Sequence, residues 1–392
     1  MKMGNKCIGN CITCGTCTSA PVLEAFSAVP RAFAPRPGHG IAVDIGTTTV
    51  VLALVDLTSG KAVARHSFQN PQRAFGPDVI SRIDAANHGH LAALSGMIRE
   101  SVSDGVVTLL QSSDLSPSDI QDMTIGANTV MAHLLLGLSC ESLGVVPFQP
   151  MHLLEPSYDS AQLFPASGLR CEVRLAPWIA GYVGGDVTAG LLHVLPYGKG
   201  RFLLTDLGTN GELALYDEGQ LIVTATAAGP AFEQPVSGES RAFQGASEVI
   251  SALALLVREE IVDESGLLEQ ENVFTQKQIR DLQLAKSAIR SGMEILLEVS
   301  GLAYQDLDAI YLAGGIGQAV DVRDAADIGL IPREFEAKAI PVGNASLGGA
   351  IAMLTAGAQG AADIETLLRA AREINLAAQS RFNEHFMEYM SF

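Results

Sequence analysis

A short motif stated twice constrains this chain more than any other feature. Ile41-Ala42-Val43-Asp44-Ile45 is a β-branched run that ends in Gly46-Thr47-Thr48-Thr49; an apolar run from Val50 to Val55 then leads to a turn at Thr58-Ser59-Gly60. The second half repeats this grammar as Phe202-Leu203-Leu204-Thr205-Asp206-Leu207-Gly208-Thr209-Asn210-Gly211-Glu212-Leu213. Each copy predicts a strand, a tight polar turn and an antiparallel strand. A hairpin that recurs so far along the chain predicts two related lobes, with a boundary near residue 190.

The residue types in these turns suit phosphate. Glycine lets the backbone approach an oxyanion closely, and the following N–H groups and hydroxyls donate to it. Gly46, Thr47, Thr48 and Thr49 form one such loop, and Gly208, Thr209, Asn210 and Gly211 the other. Asp44 and Asp206 end their strands beside these loops. They suit Mg²⁺, which keeps several of its waters and takes one or two carboxylates. Either turn alone reads equally as an ordinary polar hairpin; facing each other, the pair would grip a polyphosphate from both sides. Gly314, Gly315 and Gly317 follow a predicted strand at Ala309–Ala313 and predict a third close approach, to a nucleoside. Glu212 and Glu233 are candidates for orienting a water, with a structural buried carboxylate as the alternative for each.

The N-terminus carries a different chemistry. Cys7, Cys11, Cys14 and Cys17 are spaced C-x3-C-x2-C-x2-C around Gly9 and Gly15. Four thiolates on a compact loop can surround a [4Fe–4S] cube, one per iron. A structural zinc draws ligand pairs separated by a longer loop, so zinc is the second reading. Radical chemistry at three of these cysteines needs an open iron, which Cys17 would close. Cys140 and Cys171 stand alone among apolar residues and read as inert core thiols. This spread is not a secreted disulfide scaffold and predicts a cytoplasmic protein.

The remaining organisation is read from composition. Residues 1–19 form the cysteine segment, and Pro21, Pro30, Pro35 and Pro37 mark 20–39 as an extended linker. Residues 40–190 and 191–360 are the two lobes, and 361–392 is a helical segment of two helices. Thr275-Gln276-Lys277-Gln278 predicts a capping box opening a helix, with Ile279, Leu282, Ala285, Ile289, Met293 and Leu296 on its apolar face and Gly301 as its stop. A formal charge of −18 excludes nucleic acid and anionic membrane as partners, because both would repel this surface. No run reaches the roughly 20 apolar residues of a membrane helix. His88 and His90 read as solvated and His133 as core.

The three glycine-containing sites together resemble the superfamily of sugar and acetate kinases, heat-shock chaperones and actin. That resemblance spans about residues 40–355 and implies an α/β, duplicated ribonuclease-H-like, two-lobed ATPase. A narrower resemblance, to the ATP-dependent reductive activators of corrinoid proteins, rests on several ordered stretches: Phe68 to Ile83, Gly126-Ala127-Asn128-Thr129-Val130-Met131, Ala227 to Glu233, Asp281 to Lys286, Tyr311 to Gly317, and Val342-Gly343-Asn344-Ala345. It tilts Asn70-Pro71-Gln72, which otherwise reads as a strand stop, toward a cleft or partner-facing role. The chain departs from relatives after Glu233, where the span from Ser240 to Val249 is short and one wall of the nucleotide pocket is reduced. It also lacks the large N-terminal ferredoxin domain of some relatives. The resemblance implies ATP, Mg²⁺, a corrinoid methyltransferase subunit as partner, a low-potential electron donor, and reduction of Co(II) to Co(I), with electrons entering through the four-cysteine loop. A homodimer stays open. The alternatives are an activator of a 2-hydroxyacyl-CoA dehydratase, a small-molecule kinase with a zinc loop, and a chaperone-like binding ATPase.

Overall fold

The computed structural model describes residues 33–151, 157–195, 200–208, 210–229, 231–232, 237–238, 241–242, 245–269, 273–317 and 320–392. Two compact units divide them. The first takes the chain up to Pro177 together with Ser346–Asp363, and the second takes Trp178–Ala345 together with Ile364–Phe392.

In the first unit, β1 (His39–Ile45), β2 (Thr49–Asp56) and β3 (Lys61–Gln69) form an antiparallel meander. β4 (Ile120–Ala127) joins β1 in parallel, and β6 (Glu172–Leu175) and the short β5 (Tyr158–Asp159) complete the order β3-β2-β1-β4-β6-β5. The central strand β1 is apolar on both faces, with Ile41, Ala42, Val43 and Ile45 fully buried. A strand buried on both faces needs cover from both sides. Helix α1 (Val79–Ala85), α2 (Leu91–Ser112) and α3 (Thr129–Leu136) belong to this unit. Ala42, Ala53 and Val55 pack against Leu347, Ala350 and Leu354, which belong to the returning segment. Thr124 Oγ1 donates to the Ala350 carbonyl at 2.7 Å, fixing that segment on β4.

The second unit opens with α4 (Gly185–Val194) and repeats the meander with β7 (Arg201–Leu207), β8 (Gly211–Asp217) and β9 (Gln220–Thr226). A two-residue ladder, β10 (Ser237–Gly238) with β11 (Arg241–Ala242), precedes α5 (Ala246–Arg258) and α6 (Gln276–Ser300). β12 (Ala309–Ala313) pairs in parallel with β7, and β13 (Ala339–Gly343) with β12. The order β9-β8-β7-β12 repeats the order β3-β2-β1-β4 of the first unit. This is the duplication expected from the two hairpins. Helix α6 begins at the expected box: Gln278 N–H donates to Thr275 Oγ1 at 3.3 Å and Thr275 N–H to Gln278 Oε1 at 2.9 Å. It stops at Gly301, whose φ of 72° is the left-handed cap that glycine adopts freely. All six residues expected on its apolar face are buried.

Helix α7 (Ala345–Ala356) and α8 (Ala358–Ala370) follow. The end of the chain has two helices, as expected, with a short strand between them. β14 (Ala371–Glu373) adds a parallel edge to β9 before α9 (Phe382–Glu388), which packs on α6. An edge strand left unpaired presents a row of free backbone groups, and β14 satisfies those of β9. Lys286 on α6 donates to the Tyr389 and Ser391 carbonyls and holds the tail. Cys140 is buried, which pushes its thiol up to about 11, and burial also raises Cys171; neither is poised to react at neutral pH. His133 is buried, whereas His88 and His90 are exposed. Among the described residues no helix is long and apolar enough to cross a membrane.

Candidate functional site

Each unit places one Asp-x-Gly turn at the end of its first strand. In the first unit Asp44 lies opposite Val51 on β2 and beside Gly126 on β4. Ser346 Oγ, at the start of α7, donates to Asp44 Oδ1 at 2.7 Å. A Cβ at residue 126 would come within 2.4 Å of that hydroxyl, so glycine there makes room for the pair. The turn closes through Gly46 N–H donating to the Thr49 carbonyl at 3.1 Å. Thr47 is buried, and its Oγ1 accepts from Asn128 Nδ2 at 3.0 Å, which leaves the hydroxyl proton to be donated elsewhere. Thr48 is exposed.

Asn70 and Arg82, both fully buried, stand behind this turn. Asn70 Nδ2 donates to the Gly46 carbonyl at 2.9 Å, and its backbone N–H donates to the Thr48 carbonyl at 2.8 Å. The Arg82 Nη2 group donates to the Thr47 carbonyl at 2.7 Å, and Nε to the Gly76 carbonyl at 3.1 Å. Burial pulls the Arg82 guanidinium down to about 10, partly offset by Asp78, so it stays a cation at neutral pH. In the Asn70-Pro71-Gln72 stretch, which follows the end of β3, Asn70 and Gln72 are interior, and Gln72 Nε2 donates to the Leu94 carbonyl at 3.0 Å. Three successive turn carbonyls needed buried donors, and this stretch supplies two of them.

The second unit places Asp206 opposite Glu212 on β8 and beside Ala313 on β12. The turn is one residue tighter, with Gly208 N–H donating to the Asn210 carbonyl at 3.0 Å. Glu212 is buried, and its carboxyl is held well above the usual range, first by burial and then by the charges of Asp186 and Asp206. Asp186 sits in the first turn of α4 and was not singled out in the sequence, although Gly184-Gly185-Asp186 ahead of an apolar helical run was a readable signal. Ser346 was missed as well, and no local signal marked it. Among the described residues, no three His, Cys, Asp or Glu side chains converge tightly enough to ligate one metal directly. The coupled carboxylates fit a cation held largely through its own waters.

The glycines divide by what surrounds them. Gly314 has φ +84°, and a Cβ there would come within 2.2 Å of Asp206 Oδ1. A Cβ at Gly317 would come within 2.6 Å of Leu312, and one at Gly211 within 2.6 Å of Thr226 Oγ1. Packing inside the unit thus accounts for these three. Gly315 faces open space, and a Cβ at Gly208 would meet only the Asn210 carbonyl, at 3.7 Å. Those two positions are glycine without an internal steric reason. Thr209, Glu233 and the four cysteines Cys7, Cys11, Cys14 and Cys17 lie outside the described residues.

Comparison with known proteins decides the family. Residues 39–195 match the RACo middle region, and residues 201–253 and 254–392 match the C-terminal domain of RACo, the ASKHA domain. The chain belongs to the RACo family of reductive activators of corrinoid proteins. It is 31% identical to the corrinoid activation enzyme RamQ of Eubacterium limosum, across 92% of this chain and 71% of that one. It is 23% identical to the [Co(II) methylated amine-specific corrinoid protein] reductase of Methanosarcina barkeri, across 79% of this chain and 68% of that one. The solved structure of a reductive activator for corrinoid, iron–sulfur protein superposes with a TM-score of 0.78 at 27% identity, covering 92% of this chain and 67% of that one. Both Asp-x-Gly turns fall inside the RACo matches, one in each.

Proposed function

We propose that this chain reductively activates a corrinoid protein, using Mg-ATP bound at its two Asp-x-Gly turns to drive Co(II) to Co(I). The observation that carries the reading is the coincidence just described: a RACo family match over both units, with one phosphate-competent turn in each. The reading assigns a division of labour. Gly46, Thr47, Thr48 and Thr49 supply donors from one turn, and Gly208, Thr209, Asn210 and Gly211 from the other. Asp44 and Asp206 orient the hydrated Mg²⁺, and Gly314, Gly315 and Gly317 border the nucleoside. Glu212, whose carboxyl is raised by burial and then by the charges of Asp186 and Asp206, shares the tentative water-orienting role with Glu233.

Reducing Co(II) to Co(I) adds one electron, which a low-potential donor must lose. Each 59 mV of unfavourable gap for one electron corresponds to about 1.4 kcal/mol, so a gap of a few hundred millivolts needs coupling to hydrolysis. A carrier cannot change that equilibrium, but a nucleotide that binds two states of the protein unequally can. In this proposal Cys7, Cys11, Cys14 and Cys17 hold a [4Fe–4S] cluster that relays the electron. The reading places the protein in the cytoplasm with a corrinoid methyltransferase subunit as its partner, and a homodimer is compatible with it.

The test mixes the anaerobic protein with a Co(II) corrinoid methyltransferase subunit, a low-potential donor and Mg-ATP, and follows the Co(I) absorption band. Co(I) should form only with ATP. Cys14→Ser should remove iron and Co(I) formation while hydrolysis persists. Equal reduction without nucleotide would refute the coupling, and a colourless protein holding one zinc would refute the relay.

A further inference from the structure

The buried residues behind the first turn have a directional consequence. The carbonyls of Gly46, Thr47 and Thr48 accept in turn from Asn70 Nδ2, Arg82 Nη2 and the Asn70 N–H, at 2.9, 2.7 and 2.8 Å. Arg82 Nη1 and Asn70 Nδ2 also lie 3.3 and 3.5 Å from one atom, Met131 Sδ, in the interior of the unit. The side-chain donors therefore converge on one side of the turn. In a trans peptide the C=O of one residue and the N–H of the next point in opposite directions. Pulling the Gly46 and Thr47 carbonyls inward thus turns the Thr47 and Thr48 N–H groups outward, where Thr48 is exposed. Successive N–H groups on one side make an anion-binding concavity.

The identity of the inner donor adds a second point. A neutral side chain would satisfy the Thr47 carbonyl equally well. Arg82 instead places a full positive charge in the interior, donating to the neutral Thr47 and Gly76 carbonyls. Burying a charge is costly to the fold even where Asp78 partly offsets it, and a cation behind a loop attracts an anion in front of it.

We infer that Asn70 and Arg82 are positioning residues for a nucleotide polyphosphate: together they aim the Thr47 and Thr48 amides at it, and Arg82 adds charge from behind without touching it. This rests on the nucleotide role proposed above for the first turn. The experiment measures Mg-ATP dissociation constants and melting temperatures for the full chain, Arg82→Met and Arg82→Lys, and follows the Thr47 and Thr48 amide resonances of the parent as Mg-ATP is added. Arg82→Met should weaken Mg-ATP about 10- to 100-fold, the effect of losing one charge-assisted donor. Arg82→Lys keeps the charge but cannot span both carbonyls, and should recover part of that loss. Both amides should shift strongly in the parent, a readout that needs no variant to fold. A merely structural Arg82 would lower the melting temperature and leave the dissociation constant of the folded fraction unchanged, which would overturn the inference. So would parent amides that stay still while Mg-ATP binds. If the parent binds no Mg-ATP at all, the nucleotide reading fails first, and this inference falls with it.

Discussion

The two Asp-x-Gly turns grew from one strand order and diverged in what surrounds them. Asp44 faces Val51 and Gly126 and accepts from the Ser346 hydroxyl, whereas Asp206 faces Glu212, whose carboxyl feels both Asp186 and Asp206. The first turn spans one residue more and has its carbonyls held by an interior arginine and asparagine; the second is tighter and acidic. A cationic support suits donation to phosphate, and a cluster of carboxylates suits a hydrated cation. Duplication thus supplied one scaffold, and under the proposed function the neighbouring residues bias one copy toward the anion and the other toward the cation.

If the copies have specialised in this way, their aspartates should not be interchangeable. Asp206→Asn should reduce Mg²⁺-dependent ATP hydrolysis by about 10²–10³-fold, the usual cost of removing one preorganised electrostatic contact. Asp44→Asn, with a hydroxyl and apolar neighbours around it, should lose distinctly less. Steady-state hydrolysis across a Mg²⁺ titration makes the comparison, and added Mg²⁺ should partly rescue Asp206→Asn. Equal losses for the two variants would mean the turns still share one role.

What the sequence revealed of this arrangement was local. Both hairpins, the Thr275 box, the Gly301 stop and the strand at Ala309–Ala313 follow from neighbouring residue types and are present as read. The hydrogen bond from Ser346 to Asp44 joins residues 302 positions apart, and no local pattern announces it. The return of residues 346–363 to the first unit is invisible for the same reason. Asn70 and Arg82 lie in the resembling segment, and their interior position follows from the turn's carbonyls, which demand donors. Asp186 was within reach, since a Gly-Gly-Asp before an apolar run is a helix start carrying a carboxylate.

The acidic character of the second turn has a pH signature. Glu212 has a folded pKa raised by burial and by Asp186 and Asp206. A raised carboxyl contributes stability that is complete below its unfolded value and is lost as pH rises through the folded value. Glu212→Gln removes that loss. The variant should melt like the parent in acid and become more stable than it as pH rises, by about 1 kcal/mol, the range typical of relieving functional strain, while hydrolysis falls. Melting curves from pH 5 to pH 9 measure the divergence. Mg²⁺, by offsetting the negative charge, should narrow it for the parent. A variant less stable than the parent at every pH would show that Glu212 is held by favourable bonds instead, and the claimed contrast between the turns would lose its electrostatic basis.

The smallest expected effects separate glycines kept for packing from glycines kept for a ligand. At residue 126 a methyl group would press within 2.4 Å of Ser346 Oγ and 3.3 Å of the Ser346 carbonyl oxygen, so the start of α7 must shift and the bond to Asp44 must weaken. Gly126→Ala should therefore destabilise the protein by about 1 kcal/mol or somewhat more, as overpacking does, whether or not nucleotide is present. At residue 208 the same methyl group meets its first neighbour at 3.7 Å, an ordinary contact, and the ligand-free protein should change by no more than about 0.5 kcal/mol. Its cost should appear only when a phosphate approaches. Thermal shifts with and without Mg-ATP test both variants at once: Gly126→Ala should start lower and keep its ligand-induced rise, while Gly208→Ala should start level with the parent and lose most of it. A full ligand-induced rise in Gly208→Ala would move the phosphate away from the second turn. The carboxylates there would then be a structural cluster with no nucleotide to serve, and the contrast between the two copies would rest on the first turn alone.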